Sequence, residues 1–408
     1  MSGLESPAPV APEEPRGLLA KLALEQRLGG VVPALLTALI AFLMGGAVVA
    51  ATGHDPVQAY KGIFQGAGLD WFLHVPWSTN TDDLSTYNLT QTLLQTSSLI
   101  LVGLAVAFAF RCGLFNIGGQ GQYMVGLIVA NWIGISFVDL SKPLHVLIAI
   151  GAATLAGAVW AGIAGFLRAT VGAHEVISTI MLNWVAYWIG SYVFGYGGPL
   201  QNPATPTNPV SADVAQSARL PVFWGNPVLQ GLHVGVFVAL AALLVYWLIL
   251  RRTTLGYEVR AVGFNADAAA YGGINVKRSF FLAMAISGAF AGLAGGLDML
   301  GYLFHFGTLD VQSNQIGFMG IAVALLGRNS SVGVFFASIL FGSLLYGTTK
   351  GLDPGVFDPT LAGNLTSMIQ GLIVLFVGAD VLILWLWNRR RRLRRARLVA
   401  GGVAGSEA

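Results

Sequence analysis

Three side-chain amides stand close together between two apolar stretches of this 408-residue sequence. Asn116, Gln120 and Gln122 come soon after Phe115, among glycines at positions 113, 118, 119 and 121. A non-helical backbone at membrane depth is tolerated only inside protein or beside a water-filled cavity, and an amide both donates and accepts hydrogen bonds. The segment therefore predicts a broken helix whose four polar and aromatic side chains line a path for a neutral polar solute. The alternative is hydrogen bonding between packed helices, worth about 1 kcal/mol per bond.

A fourth amide, Asn183, lies in the middle of an apolar stretch beside Trp184, Tyr187 and Trp188. Aromatic faces can stack a flat solute as they stack nucleic-acid bases, so Asn183 and Trp184 are also predicted to line the path. For any one of the aromatic residues, ordinary packing or a place in the interfacial belt is the commoner explanation. Two polar residues at the start of a later apolar stretch are weaker candidates for the same path: Asn314 and Gln315.

Two acidic residues in the apolar part of the chain suggest a different chemistry. Asp298 and Asp380 lie near the ends of apolar stretches, and intramembrane carboxylates carry protons in some coupled transporters. We expect Asp298 to lie at the outer interface and Asp380 within the last stretch, and a proton relay is the minor hypothesis for both.

Several kinds of catalytic and metal site are excluded by the sequence. No G-x-x-x-x-G-K-[ST] segment is present to hold ATP phosphates, and the six histidines include no H-x-x-x-H pair for zinc. The single cysteine, Cys112, cannot form an internal disulfide or a cysteine-based metal cage. We therefore expect no catalytic residue, no metal and no bound cofactor, and the chain is not predicted to be an enzyme on its own.

Composition predicts an all-α membrane protein. The chain is 55% hydrophobic and 10% charged, whereas soluble domains carry roughly 25% charged residues. Its 53 glycines are about twice the usual share of ~7%, which predicts closely packed helices. A membrane-crossing helix needs about 20 apolar residues. Ten stretches qualify or nearly qualify, and glycine and polar residues interrupt the third and the eighth, so the ends of these two are not fixed: 31–52, 89–110, 117–137, 144–167, 175–195, 231–250, 279–298, 315–327, 332–349 and 361–387.

The basic residues give these ten predicted helices an orientation. With the N-terminus in the cytoplasm, most of the 22 basic residues lie inside, as the positive-inside rule favours. Four would face outside: Lys61, Lys142, Arg219 and Lys350. Both termini are therefore predicted to be cytoplasmic. The arginines of 389–397 follow the last helix, and we interpret them as an anchor on anionic lipid rather than as an RNA-binding site.

Polar segments divide the chain into regions. Residues 1–29 are polar and proline-rich and are predicted to be cytoplasmic and disordered. The apolar run that follows exceeds the ~7–15 residues of a signal-peptide core, so we interpret it as a retained helix. Residues 30–388 are the predicted membrane domain, and 389–408 are a cytoplasmic basic tail.

A proline-rich loop, residues 196–230, is predicted to lie outside the cell and to separate two halves of the membrane domain. Each half has five predicted helices. An odd number per half means that the halves run antiparallel, as in inverted-repeat transporters. This symmetry is inferred from topology alone, since no convincing residue-level repeat accompanies it.

Segment 251–278 is polar and helix-capable, and it lies between two long apolar stretches with basic residues at both ends. In the predicted orientation it faces the cytoplasm. We interpret it as a surface on which a separate motor protein docks, and the alternative is an ordinary cytoplasmic loop.

Four segments together resemble the permease subunits of bacterial ABC importers for simple sugars, branched-chain amino acids and nucleosides. They are Phe115–Gln122, His174–Trp184, Gly256–Asn265 and Gly317–Arg328, and the resemblance covers roughly residues 30–385. The second and fourth look most like the nucleoside branch, whose systems include a basic membrane lipoprotein. This chain has His174 where many members of that family have asparagine.

The resemblance implies a system of several proteins in the plasma (inner) membrane of a bacterium. A second, related permease would form a heterodimer with this chain. An ATPase with two nucleotide-binding domains would use the ATP, and a lipid-anchored binding protein would deliver solute outside.

The resemblance also implies a coupling helix that sits in a groove of the ATPase. Segment Asp267–Ile274 resembles that helix, since alanines favour a helix and Asp267 suits its N-terminal dipole, with Gly272 and Gly273 ending it. The coupling residues implied are Gly256, Arg260, Asp267, Ala268, Ala269 and Gly272.

Two functional hypotheses follow. The first is the permease of an ATP-driven importer, with nucleosides preferred over simple sugars although both solutes need amides and aromatic rings. The second is a secondary transporter or channel that acts alone, which would need a coupling carboxylate such as Asp298 in its path. Nucleic acid is not an expected partner in either case.

Overall fold

The structure, a computed structural model, describes residues 31–73 and 83–351 together with positions 364, 367, 368, 371, 372 and 375. The compact unit Ala41–Ala379 contains every contact discussed below. Residues 1–29, most of the predicted helix 361–387, Asp380 and the tail 389–408 lie outside the described residues. The expectations for those segments stay predictions.

The described part of the chain is mostly helical, as predicted. Its apolar stretches form helices that polar turns separate. The helices are α1 (Val31–Ala51), α2 (Pro56–Gly66), α3 (Leu84–Arg111), α4 (Gly119–Ser136), α5 (Lys142–Val171), α6 (Glu175–Phe194), α7 (Gly235–Arg252), α8 (Thr254–Phe264), α9 (Ala266–Tyr271), α10 (Val276–Asp298, continued by a π-helical turn, Met299–Leu303), α11 (Thr308–Ser313), α12 (Ile316–Leu326) and α13 (Ser331–Gly351).

Within the described residues, six helices are long and apolar enough to cross a membrane: α3, α5, α6, α7, α10 with its π-helical turn, and α13. A seventh crossing is obtained if α1 and α2, which are bent by 119°, count as one. A helical membrane protein is thus confirmed. Ten crossing helices and two antiparallel halves stay predictions.

Breaks in the helical structure lie directly before the helices formed by the third and eighth predicted stretches. Helix α4 starts only at Gly119, after the non-helical residues 112–118. Helix α12 has 11 residues, about 16 Å at 1.5 Å per residue, which is too short for a hydrocarbon core of ~30 Å. Asn314 and Gln315 separate it from the six-residue helix α11. These breaks bring polar residues into the helical bundle.

Glycine sets the distance between the central helices. Helix α3 is buried along most of its length, and α5 packs beside α10. A Cβ atom at Gly157 of α5 would lie 2.6 Å from the Cα of Gly292 of α10. A side chain there would push the helices apart, so the predicted role of glycine in close packing is confirmed.

The proline-rich loop 196–230 is fixed to the end of α10 by backbone hydrogen bonds. The N–H of Ser211 donates to the carbonyl of Phe306 (2.9 Å), and the N–H of Val214 donates to that of Phe304 (2.8 Å). The loop is therefore an ordered cover over this end of the bundle.

A short antiparallel ribbon departs from the all-helical prediction. Its strands are β1 (Val222–Trp224) and β2 (Leu232–His233), which pair Val222 with His233. Valine and aromatic residues favour an extended backbone, and β1 holds three of them between Pro221 and Gly225. A run of three such residues is too short to predict a strand from the sequence.

Candidate functional site

A cleft of about 210 Å³ lies where α4, α6, α11 and α12 converge. Helix α4 contributes Gln120, and α6 contributes Asn183, Trp184 and Tyr187. The break between α11 and α12 and its flanks contribute four more residues: Gln312, Asn314, Gln315 and Phe318. The cleft thus combines aromatic rings with side-chain amides.

The α11–α12 break exists because its polar residues end one helix and begin the next. Asn314 is extended, with φ −71° and ψ 123°, and its Oδ1 accepts a hydrogen bond from the N–H of Ile316 at 3.2 Å. This contact satisfies one of the free N–H groups at the start of α12. The break is therefore held in one conformation at the edge of the cleft.

Gln120 joins α4 to this break. Its Nε2 donates to the carbonyl of Asn314 (2.7 Å), and its Oε1 accepts from the N–H of Gly317 (2.8 Å). Gly317 is needed here, since a Cβ at that position would lie 2.5 Å from the backbone nitrogen of Gln120. The main role of the Gln120 amide is thus to bind backbone groups that the break exposes.

Asn183 performs the same task between α6 and the start of α4. Its Nδ2 donates to the carbonyl of Ile117 (2.9 Å), and its Oδ1 accepts from the N–H of Gly121 (2.8 Å). The side chain is buried. The Asn183 amide in mid-helix therefore bonds to the irregular backbone before α4 and the first turn of that helix. It lines the cleft, but these two hydrogen bonds already occupy its oxygen and its nitrogen.

The structure places the other amides of the first cluster away from the cleft. Asn116 and Gln122 bind each other through two hydrogen bonds of 2.9 Å, and Asn116 also donates to Ser287 Oγ at 2.7 Å. Both side chains are buried. Phe115 stacks on Phe110 with ring centroids 4.9 Å apart. Hydrogen bonding within the bundle, the alternative considered from the sequence, describes this pair.

Of the six predicted path residues, the structure thus brings three to the cleft: Gln120, Asn183 and Trp184. It adds Gln312, which was not predicted from the sequence, and Asn314 and Gln315, which were the weaker candidates. The side chains of Gln312 and Gln315 are exposed and form no hydrogen bond with any described residue. The polar run Gln312–Gln315 between apolar neighbours was the available signal.

Segment 251–278 contains two short helices, α8 and α9. Thr253 caps α8 by accepting a hydrogen bond from the N–H of Gly256 (3.1 Å), and Asn265 caps α9 through the N–H of Ala268 (3.0 Å). Asp267 lies in the first turn of α9, and Gly273, with φ +83°, follows its end. The predicted short helix at this position is therefore present.

Two aromatic side chains project from this segment. Phe264 ends α8 and Tyr271 ends α9, and each is 96% exposed. Four of the six predicted coupling residues are also exposed: Arg260, Asp267, Ala268 and Gly272. The other two, Gly256 and Ala269, are buried against the bundle. The segment thus has an inner side that anchors it and an outer side with two exposed aromatic rings, and this exposure was not predicted from the sequence.

Comparison with known proteins assigns this arrangement to a family. Residues 88–378 match the model of the branched-chain amino acid transport system permease component. The chain belongs to this permease family. The match includes the cleft, both broken helices and segment 251–278.

Named relatives cover most of the permease. It is 34% identical to the guanosine ABC transporter permease protein NupP of Bacillus subtilis, over 90% of this chain and 98% of the relative. It is 32% identical to the nucleoside ABC transporter permease protein NupB of Lactococcus lactis, over 86% and 92%. It is 34% identical to the glucose ABC transporter permease protein TsgB13 of Haloferax volcanii, over 84% and 85%. A second named permease of each of the first two organisms, NupQ and NupC, also matches, at 27% and 22% identity.

Asp298 of the permease, which we expect at the outer interface, has its side chain inside the helical bundle. Its carboxylate is buried and accepts hydrogen bonds from the hydroxyls of Ser98 (2.5 Å) and Tyr123 (2.7 Å). It is not part of the cleft lining. The close glycine packing of α10 encloses it, and the two hydroxyls offset the cost of burying a polar group.

Cys112 of the permease lies just beyond α3 and is buried. Burial raises the pKa of its thiol to about 12, so at pH 8 roughly one thiol in ten thousand is the reactive thiolate. We expect iodoacetamide at pH 8 to leave Cys112 unmodified in the folded permease and to modify it after denaturation. Mass spectrometry of the Cys112 peptide measures this, with the exposed Ser313→Cys thiol as the positive control. Rapid native labelling of Cys112 would contradict the closed packing around it.

Proposed function

We propose that this permease is the membrane-spanning subunit of an ATP-driven importer for nucleosides and that the cleft lies on the solute path. The observation that carries the proposal is the pairing of aromatic rings with uncommitted amides in one cleft. A nucleoside combines a flat base with polar groups. Trp184 and Tyr187 offer rings for the base, and Gln312 and Gln315 offer donors and acceptors.

The relatives favour the same class of solute. Two that cover most of the chain are named for guanosine or nucleosides, and one is named for glucose. A simple sugar is therefore the second candidate solute. A stand-alone secondary transporter is not proposed, because its candidate coupling carboxylate, Asp298, is buried away from the cleft.

The cleft supports a role for a second permease. At about 210 Å³ it is smaller than the ~300–1,000 Å³ of a complete ligand pocket, and Trp184 at its edge is 56% exposed. A heterodimer in which the partner permease covers this side would complete the path. The occurrence of two matching permeases in each of two organisms supports such a pair.

The remaining parts of the proposed importer act on opposite sides of the membrane. The chain would sit in a bacterial plasma membrane with about ten helices in two antiparallel halves and both termini in the cytoplasm. Loop 196–230 would face the solute-binding lipoprotein outside. Segment 251–278 would face an ATPase with two nucleotide-binding domains inside. The residues that would couple to this ATPase are Gly256, Arg260, Asp267, Ala268, Ala269 and Gly272.

In the proposed mechanism the permease supplies the path and the ATPase supplies the work. The lipoprotein would release solute into the cleft, where a few amides and rings hold it weakly. ATP binding by the ATPase would move the coupling segments and switch the path between outward and inward access. The hydrogen bonds from the Gln120 and Asn183 amides to the backbone, here called clamps, would keep the polar groups of the helix breaks paired while the helices move.

Uptake by the purified complex tests the proposal. The complex is isolated through a tag on this permease and reconstituted into vesicles that enclose ATP. We expect accumulation of labelled guanosine that requires ATP and the binding protein. Accumulation of glucose but not guanosine would favour the sugar importer. Guanosine uptake by the permease alone, without the ATPase, would refute an ATP-driven system.

An uncommitted amide should affect solute affinity more than stability. We expect Gln315→Ala to raise the half-saturating guanosine concentration about 5- to 10-fold, since one hydrogen bond contributes about 1 kcal/mol. Because Gln315 is exposed, its loss should leave the thermal midpoint unchanged. Gln58→Ala, an exposed glutamine of α2 outside the cleft, is the matched control. Equal affinities for both variants would remove Gln315 from the path.

A further inference from the structure

Residues 112–118, here called the strap, connect α3 to α4 and touch segment 251–278. Gly113 of the strap has a left-handed φ of +74°, and a Cβ atom there would lie 3.3 Å from the Cα of Gly263 in α8. A Cβ atom at Gly263 would lie 3.0 Å from the carbonyl carbons of Arg111 and Cys112. The two backbones therefore meet with no side chain between them, and any displacement of α8 presses on the strap itself.

The strap is held at several points between this contact and the cleft. The Cys112 thiol lies 3.7 Å from the carbonyl of Ser279 at the start of α10. Asn116 Oδ1 accepts from the N–H of Gly118 (2.9 Å), and the carbonyl of Ile117 accepts from Asn183 Nδ2 (2.9 Å). Two residues after Gly118 stands Gln120, which grips the α11–α12 break. Because these contacts fix the strap, a displacement at Gly113 would move α4 instead of only deforming the strap.

The same contact is connected to the opposite end of α12. Arg111, whose carbonyl meets Gly263, donates from Nε and Nη2 to the carbonyl of Asn329 (2.9 and 2.7 Å). The hydroxyl of Tyr246 donates to that carbonyl too (2.7 Å). Asn329 lies in the left-handed turn that follows α12, with φ +53°. Both helices that flank the cleft, α4 and α12, are thus tied to the point where α8 meets the strap.

We propose that the Gly113–Gly263 contact is the joint through which movement of segment 251–278 reaches the cleft, with both glycines as positioning residues. The proposal rests on the proposed function, since the joint acts only if an ATPase moves α8. At Gly263 a Cβ would lie 2.2 Å from the carbonyl oxygen of Arg111 and would displace the strap, and at Gly113 glycine suits the left-handed φ and a 3.3 Å contact. The joint would then change the distance between α4 and α12 each time the ATPase binds ATP.

The test is the number of guanosine molecules taken up per ATP hydrolysed by the reconstituted complex. Gly263→Ala adds one Cβ at the joint in a helix that tolerates alanine. We expect its ATP hydrolysis to stay within about twofold of the unmodified complex while uptake per ATP falls at least tenfold. Gly151→Ala, a helical glycine of α5 with no atom within 4 Å of the added Cβ, is the control and should keep normal coupling. An unchanged ratio of guanosine uptake to ATP hydrolysis in Gly263→Ala would refute the proposal that this contact is a joint.

A second pair of variants applies if Gly263→Ala does not assemble. Gly113→Ala and Gly172→Ala both place alanine at a left-handed φ, +74° and +69°, but only Gly113 has neighbours within 4 Å. Loss of coupling in Gly113→Ala alone supports the joint. Normal coupling, or failure of Gly113→Ala to assemble while Gly172→Ala does, overturns it, because the contact then serves folding. If the unmodified complex shows no ATP-driven uptake, the proposed function fails instead.

Discussion

Replacing Gln120 with leucine is expected to abolish uptake and to destabilise the permease. The substitution removes two hydrogen bonds and leaves the carbonyl of Asn314 and the N–H of Gly317 without their partner. An unsatisfied buried polar group costs about 1–3 kcal/mol, so a total of roughly 2–6 kcal/mol is expected for the two. The break between α11 and α12 would lose its fixed position. Guanosine uptake and the thermal midpoint in detergent measure the two effects.

The type of substitution distinguishes a clamp from a solute ligand. Gln120→Glu keeps an acceptor for the N–H of Gly317 but loses the donor to Asn314, so its midpoint should fall between those of the leucine variant and the unmodified protein. Gln58→Leu, which removes an exposed amide of α2, should change neither measurement. If Gln120→Leu lowers uptake at an unchanged midpoint, Gln120 binds solute and does not clamp the break.

The helices could be predicted because each depends on a local run of apolar residues. Predicted stretches 144–167 and 175–195 became α5, Lys142–Val171, and α6, Glu175–Phe194. The break before α4 was also predicted, from the amides and glycines of 113–122, whereas the break at Asn314 and Gln315 was not. The ribbon β1–β2 was missed because a pairing of two- and three-residue strands depends on the loop that closes it and not on a periodic pattern.

The partners of the amides could not be predicted from their positions in the chain. Asn116 and Asn183 carry the same functional group, yet one pairs with Gln122 inside the bundle and the other binds the backbone at the cleft. Which outcome applies depends on where a break in a different helix exposes backbone groups. Gln312 was missed because α11 is a short polar helix outside every apolar stretch. The side-chain amides that stay free at the cleft are those that form no hydrogen bond with the backbone of a helix break.

Exposure of aromatic rings was equally invisible in the sequence. An aromatic residue in a short helix is ordinarily expected to pack, and segment 251–278 offers buried glycine and alanine positions on which it could do so. Phe264 and Tyr271 instead end their helices just where the chain turns, so their rings extend beyond the bundle. Large exposed rings in a polar segment are typical of a binding surface, because aromatic residues are enriched among those that dominate interface energetics.

The double variant Phe264→Ala, Tyr271→Ala is expected to weaken binding of the proposed ATPase partner to the permease. Burying a large apolar side chain contributes about 1.5–3 kcal/mol, so the loss of two rings should weaken binding at least about 100-fold. Both side chains are 96% exposed, so their removal should leave the fold of the permease intact. Co-purification of the ATPase and its affinity for the immobilised permease measure the effect, with the thermal midpoint as a check on folding.

Tyr196→Ala provides the matched control for this surface. Tyr196 is 71% exposed and stands just after α6, in the loop predicted to face outside. Its removal should leave ATPase binding unchanged, because the membrane separates it from the ATPase in the predicted orientation. Equal binding by the double variant and the unmodified permease would mean that segment 251–278 is an ordinary loop. Release of the ATPase by Tyr196→Ala instead would reverse the orientation, since the ATPase would then meet the opposite face of the bundle.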